Sequence, residues 1–227
     1  VSIYGAAKSV IAPVTRTLWS PQVTGLRHIP PHGPVILASN HLSNFDPVLI
    51  GVVVPRPVVF LAKRELFAEG NLAQRTFTRA LRAIGQLSTD RGTGAREAMD
   101  STLDLLAEGR AVGIFPEGSR SPDGRLYRGQ TGLAWLALST GAPVVPMAVT
   151  GTAHVLPAGR RIPSFHRLGV RIGPVVDLAP WHGEAGRARS RRAATDAVMD
   201  AIHALSGQPR AERFAASAKA RPAARAS

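Results

Sequence analysis

The chain of 227 residues contains no cysteine. That excludes disulfides, thiolate nucleophiles and cysteine-bound zinc, and it leaves the compartment open, because nothing here depends on an oxidising environment. Aromatic residues make up only 5%, too few for a surface on which nucleic-acid bases stack between basic side chains, so no nucleic-acid partner is expected. Acidic residues number 15 against 28 basic ones, for a net charge of +13. Such a surplus points to an anionic bilayer, where each basic residue near the surface is worth about 1 kcal/mol, or to a phosphorylated substrate. A merely solvated basic surface is the alternative. Long apolar runs are also missing. Residues 129 to 159 carry no Lys, Arg, Asp or Glu, but Ser139-Thr140-Gly141-Ala142-Pro143 interrupts them. The stretch therefore predicts a core helix over 130–139, a turn and a buried strand over 143–149, not a membrane span. The seven histidines form no His-x3-His or His-Glu-x2-His cluster, so no metal site is expected. No secretory leader is expected either, since the first residues lack a basic region followed by an unbroken apolar run.

What is present alternates. Strand-like runs fall at 35–38, 58–61, 112–115 and 144–147, separated by helix-like segments at about 47–54, 71–83, 94–108 and 130–139. A further helix is expected at about 190–206. The pattern predicts an α/β fold, a mixed and largely parallel sheet flanked by helices, with ligands gathering outside the strand ends. Three regions are expected: an N-terminal amphipathic helix over 1–20, a single domain over 21–206, and a basic, flexible tail over 207–227. In the first, Ile3, Tyr4, Ala7, Val10, Ile11 and Val14 stand near helical spacing, with Pro13 ending or kinking the helix. Such a stripe suits either the interface of a bilayer or packing on the helix's own domain.

Two short strings carry chemistry. The first, Asn40-His41-Leu42-Ser43-Asn44-Phe45-Asp46, sets a histidine five residues before an aspartate. On one continuous helix they would lie about 140° apart, so they can meet only across a turn. Ser43 and Asn44 are turn formers, and Asp46-Pro47 before Val48-Leu49-Ile50 reads as an N-cap with proline at the first helical position. His41 is thus expected on a strand-to-helix loop, with the Asp46 carboxylate accepting one ring proton and the other nitrogen left as a general base. Capping alone is the bland reading of Asp46. The second string, Phe115-Pro116-Glu117-Gly118-Ser119-Arg120-Ser121, also follows a strand-like run. Gly118 permits a tight turn there, and Arg120 offers a fork of donors matching phosphate oxygens, or a structural ion pair with Glu117. Lys63 and Arg91 are the other strand-end cations, with Arg64 the solvated alternative.

With both strings in order, the sequence resembles the glycerolphosphate acyltransferase family, particularly its 1-acylglycerol-3-phosphate acyltransferases, over roughly residues 20 to 175. Asn40 to Asp46 matches the family's Asn-His-x4-Asp block in full. Phe115 to Ser121 matches Phe-Pro-Glu-Gly-Thr-Arg-Ser with Ser119 in place of threonine. Gly85 to Arg91 is a looser match to a glycine, an apolar run and an arginine, with Ser88 and Thr89 where bulky apolar residues are usual. Val144 to Ala148 resembles the short apolar strand with a proline, and Lys63-Arg64-Glu65-Leu66 resembles the family's Lys-x-Glu-Leu segment.

The resemblance implies an enzyme that moves a fatty acyl group from acyl-CoA, or an acylated carrier protein, to the free hydroxyl of 1-acylglycerol 3-phosphate. In that reading His41 is the base oriented by Asp46. Lys63, Arg91 and Arg120 bind the acceptor's phosphate, while Glu117, Gly118 and Ser119 shape the loop or the acceptor site. No cofactor or metal is implied. The implied place is the cytoplasmic face of the cell membrane, held peripherally. Glycerol 3-phosphate or another lysophospholipid is the alternative acceptor, and a non-catalytic protein binding anionic lipid or nucleic acid is the rival from another class. Gly-x-Ser-x-Gly is absent, which favours direct transfer over an acyl-serine route.

Overall fold

A computed structural model describes residues 3–63, 86–89, 94–155, 164 and 166–219 of the chain. The elements in order are α1 (Ile3–Trp19), β1 (Gln22–Thr24), β2 (Val35–Ser39), α2 (Asp46–Val53), β3 (Val58–Lys63), β4 (Gln86–Thr89), α3 (Gly94–Ala107) and β5 (Ala111–Ile114). They continue as β6 (Leu126–Tyr127), α4 (Gly132–Thr140), β7 (Val144–Thr150), α5 (Thr152–Val155), β8 (Gly169–Ile172), α6 (Ala188–Ser206), β9 (Arg210–Ala211) and α7 (Ala215–Lys219).

Seven strands form one sheet in the order β1-β8-β7-β2-β5-β3-β4. Every pair in it is parallel except β7 with β8. The four sequence-predicted strands are β2, β3, β5 and β7, and they occupy the centre because both of their faces are apolar. In β2 all five residues are buried. Val35 and Leu37 point into the core layer under α1 and α2, and Ile36 and Ala38 into the layer under α3, α4 and α6. A strand covered on both faces reads as an unbroken apolar run, which is what parallel pairing with helical crossovers demands. The helix expected at 71–83 lies outside the described residues.

Three expectations are modified. The chain stays helical through Pro13 to Trp19. Asp46 is not the N-cap of α2: Phe45 holds that place, no side chain caps the helix, and Pro47 follows Asp46 within the first turn. The segment from 207 is docked as far as it is described. Arg210–Ala211 pairs in parallel with Leu126–Tyr127, and Ala215 is fully buried. The reason is local: Gly207, at φ 67, ends α6 in the left-handed conformation and turns the chain back across the domain.

The N-terminal helix packs on its own domain with one face and leaves another free. Ala12 and Thr15 are buried, Lys8 donates to the carbonyl of Val54, and Trp19 donates from Nε1 to Ser164 O at 2.9 Å. Residues 8, 12, 15 and 19 share a helical face. Val14 and Leu18 point outward, 50% and 42% exposed. Burial, and secondarily the charge of Arg16, lower the Lys8 pKa from the ordinary lysine range. No helix among the described residues is long and apolar enough to cross a membrane.

Candidate active site

The sheet brings the two strings together. β2 and β5 are neighbours in parallel register, Ala38 opposite Ile114. The loops leaving their carboxyl ends therefore emerge side by side, as strand-end loops do in open α/β sheets.

His41 is held at four points. Its backbone N–H donates to Glu117 Oε1 at 2.9 Å, and its carbonyl accepts from the Ser121 amide at 2.8 Å. Its ring stacks on Phe115 with centroids 4.0 Å apart and planes 14° from parallel. Its Nδ1 lies 2.8 Å from Asp46 Oδ2. The same Oδ2 accepts the amides of Leu42 at 2.7 Å and Ser43 at 2.8 Å. An oxygen receiving two backbone N–H groups is acting as an acceptor, so Nδ1 carries the proton and Nε2 is left with its lone pair. Asp46 is fully buried, while the His41 side chain is 16% exposed. The carboxylate is an anchor beneath the ring, and the ring alone reaches the solvent side.

The preceding residue is also fixed. Asn40, fully buried, accepts from Val149 N at 2.8 Å and donates to Val149 O at 3.0 Å. Its side chain thereby extends the β2–β7 pairing beyond Met147, the last partner of Ser39. Ser39 Oγ donates to Asn40 O at 3.1 Å, and Ser43 Oγ accepts from Phe45 N at 3.3 Å. Both serines are buried.

Glu117 is buried at 1% exposure. Oε1 takes the His41 amide and Oε2 takes the Tyr127 amide at 2.9 Å. These two bonds tie the backbone of His41 to that of Tyr127. Gly118 makes the turn at φ 71, with its N–H on Phe115 O at 3.0 Å. Ser119 Oγ is buried without a protein partner. Arg120 is half-buried and forms no ion pair with Glu117, whose oxygens face backbone amides instead.

A domain model described as Acyltransferase matches residues 20–150, a span that contains both strings. The chain belongs to the Acyltransferase family. Relatives of this acyltransferase chain include the 1-acyl-sn-glycerol-3-phosphate acyltransferase of Borreliella burgdorferi, 28% identical over 158 residues, covering 69% of this chain and 61% of that one. The alpha form from Mus musculus is 29% identical over 156 residues, covering 68% of this chain and 54% of its own length. The chain thus spans little more than half the length of these relatives. Among solved structures, the 1-acyl-sn-glycerophosphate (LPA) acyltransferase of Thermotoga maritima superposes with a TM-score of 0.66 at 24% identity, covering 89% of this chain and 79% of that one. That likeness establishes the fold.

The acyltransferase sheet sets the remaining candidates as follows. Lys63 is the last residue of β3, which runs parallel to β5, so it stands at the same sheet edge as His41. Arg91 lies outside the described residues. The Arg128 guanidinium sits 5.5 Å over the Phe214 ring, and its amide donates to Arg213 O. The His154 and His166 rings lie 5.1 Å apart. Sequence reasoning missed the ring stack of Phe115, the Tyr127 amide and the grip on Asn40. Phe115 and Asn40 were within the strings but carried no signal of what they touch. Tyr127 had no local signal at all.

Proposed function

We propose that the protein is a 1-acylglycerol-3-phosphate O-acyltransferase, moving a fatty acyl group from acyl-CoA or an acylated carrier protein to the free hydroxyl of its lysophospholipid acceptor and forming phosphatidate. The observation that carries this reading is the His41–Asp46 pair: a buried carboxylate, charged with backbone hydrogen bonds, fixes Nδ1–H and presents Nε2 as a base. The names of the relatives support the acceptor.

The chemistry follows from that tautomer. Nε2 takes the proton of the acceptor hydroxyl as its oxygen attacks the thioester carbonyl. The tetrahedral oxyanion collapses, the C–S bond breaks, and the imidazolium returns the proton to the leaving thiolate. Asp46 stabilises the imidazolium between the two transfers. Ser39 and Ser43 are buried and engaged with the backbone, which supports direct transfer without an acyl-enzyme. Arg120, on the loop bound to His41 through Ser121, serves the acceptor's phosphate as a bidentate donor, with Lys63 contributing from the end of β3 and Arg91 as a further cation.

Substrate and product are lipids, and the outward Val14 and Leu18 of α1 supply an apolar patch for the surface of an anionic bilayer at its cytoplasmic face. The test is an assay offering radiolabelled acyl-CoA, or acylated carrier protein, with lysophosphatidate and with glycerol 3-phosphate in parallel. Labelled phosphatidate is the expected product. Transfer to glycerol 3-phosphate alone would replace the acceptor, and no transfer to either would overturn the reading.

A further inference from the structure

The family match ends at residue 150, yet the loop carrying His41 is also held from far beyond it. The second amide hydrogen of Asn40 Nδ2 goes to Gln208 Oε1 at 2.6 Å. The same side chain donates from Nε2 to the carbonyl of Gly124 at 2.6 Å. One glutamine amide therefore joins the first string to the segment that leaves the second. On one side is the residue before His41. On the other is the segment that follows Ser121, whose amide holds the His41 carbonyl.

Gln208 is itself fixed. Gly207 at φ 67 turns the chain out of α6, the Gln208 carbonyl lies 2.9 Å from His203 Nδ1, and its N–H donates to Ser206 Oγ at 3.2 Å. The residues after it continue the attachment. Leu126 N donates to Pro209 O at 2.9 Å, and Arg128 N to Arg213 O at 3.0 Å. Tyr127, between those two, is the residue whose amide holds Glu117. The C-terminal segment is thus laid along the back of the site, and Gln208 is the side chain by which it joins Asn40 to the segment after Ser121.

We infer that Gln208 is a positioning residue for acyl transfer, acting through Asn40 on His41 and through Gly124 on the loop of Glu117 and Arg120. This rests on the acyltransferase reading above. Asn40 has two amide hydrogens and both are used; removing the Gln208 oxygen frees one of them in a fully buried place and loosens the base's immediate neighbour. A small misplacement of a catalytic group is enough to slow transfer, because the rate depends on near-attack geometry.

The test uses the full chain with Gln208→Met, which keeps the volume and removes both bonds, and Gln208→Glu, which keeps the oxygen facing Asn40 and removes the donor to Gly124. The Met variant is expected to lower kcat about tenfold or more with both KM values within about twofold. The Glu variant is expected to lose about threefold. Independently of turnover, hydrogen exchange at the amides of residues 41–43 should rise in the Met variant while that of β5 stays unchanged. A folded Met variant with kcat within about twofold of the parent, or with exchange at 41–43 unaltered, overturns the inference; should the Met variant not fold, unchanged kcat in the Glu variant does so. A parent chain that transfers no acyl group refutes the acyltransferase reading instead, and exchange at 41–43 still decides the positioning.

Discussion

At the scale of single residues, the site spends nearly all of its bonding capacity on holding one imidazole still. Backbone N–H, carbonyl, ring face and Nδ1 of His41 are each engaged, which leaves Nε2. His41→Ala should lower kcat by about 10² to 10⁴, the usual contribution of a general base, with little change in melting temperature because the ring lies at the surface of the core. Near-normal turnover in a folded variant would end the mechanism. Asp46 acts differently. Its carboxylate also receives the amides of Leu42 and Ser43, so Asp46→Ala leaves two N–H groups without their acceptor and should cost about 1 to 3 kcal/mol of stability as well as activity. Asp46→Asn should keep more of the stability than Ala while turnover collapses, because the amide's own donor competes for the Nδ1 side of the ring; parallel thermal melts and rates separate the two effects. Arg120→Ala should raise the KM for the phosphorylated acceptor far more than that for the acyl donor, since a charged hydrogen bond to phosphate is worth about 1.5 to 3 kcal/mol. Equal changes in both KM values would make Arg120 structural.

At the scale of elements, the parts of the fold legible in the sequence were those with continuous apolar runs. β2, β3, β5 and β7 are central strands, and the helices at 46–53, 94–107, 132–140 and 188–206 match their expected places within a few residues. β1 and β8 left no such trace: they are three and four residues long, sit at one end of the sheet and keep exposed positions among their residues. The two-residue pair β6–β9 has no periodicity to read, and its partners are distant in the chain. The strings named His41, Asp46 and Glu117, because turn formers and strand ends are local signals. They did not say that Glu117 faces two backbone amides, because that contact depends on β2 lying beside β5. From that contact comes a prediction at this scale. Glu117→Gln keeps the size but gives one amide N–H a donor to face instead of an acceptor, so it should destabilise the protein by about 1 to 3 kcal/mol and lower kcat with it. The measurement is a pair of denaturant midpoints and rates; a loss of acceptor affinity at unchanged kcat and stability would return Glu117 to the acceptor site.

At the scale of the whole molecule, the charge of +13 and the free face of α1 point the same way. The face carrying Ala12 and Thr15 is committed to the domain, and among the described side chains of α1 Val14 and Leu18 are the exposed large apolar groups able to enter a headgroup layer. Binding to anionic vesicles should combine that insertion with charge attraction, and the two parts are separable. Added salt should weaken binding once the Debye length falls below about 8 Å. Val14→Ser with Leu18→Ser should weaken it by about tenfold or more at constant salt, since full burial of one such side chain is worth about 1.5 to 3 kcal/mol. The packed face is untouched by that pair, so the melting temperature should hold. Cosedimentation with phosphatidylglycerol vesicles, phosphatidylcholine vesicles and a duplex oligonucleotide decides among the partners a basic protein can take. Preference for the oligonucleotide, or indifference to lipid charge, would leave the surplus of arginine without a membrane role.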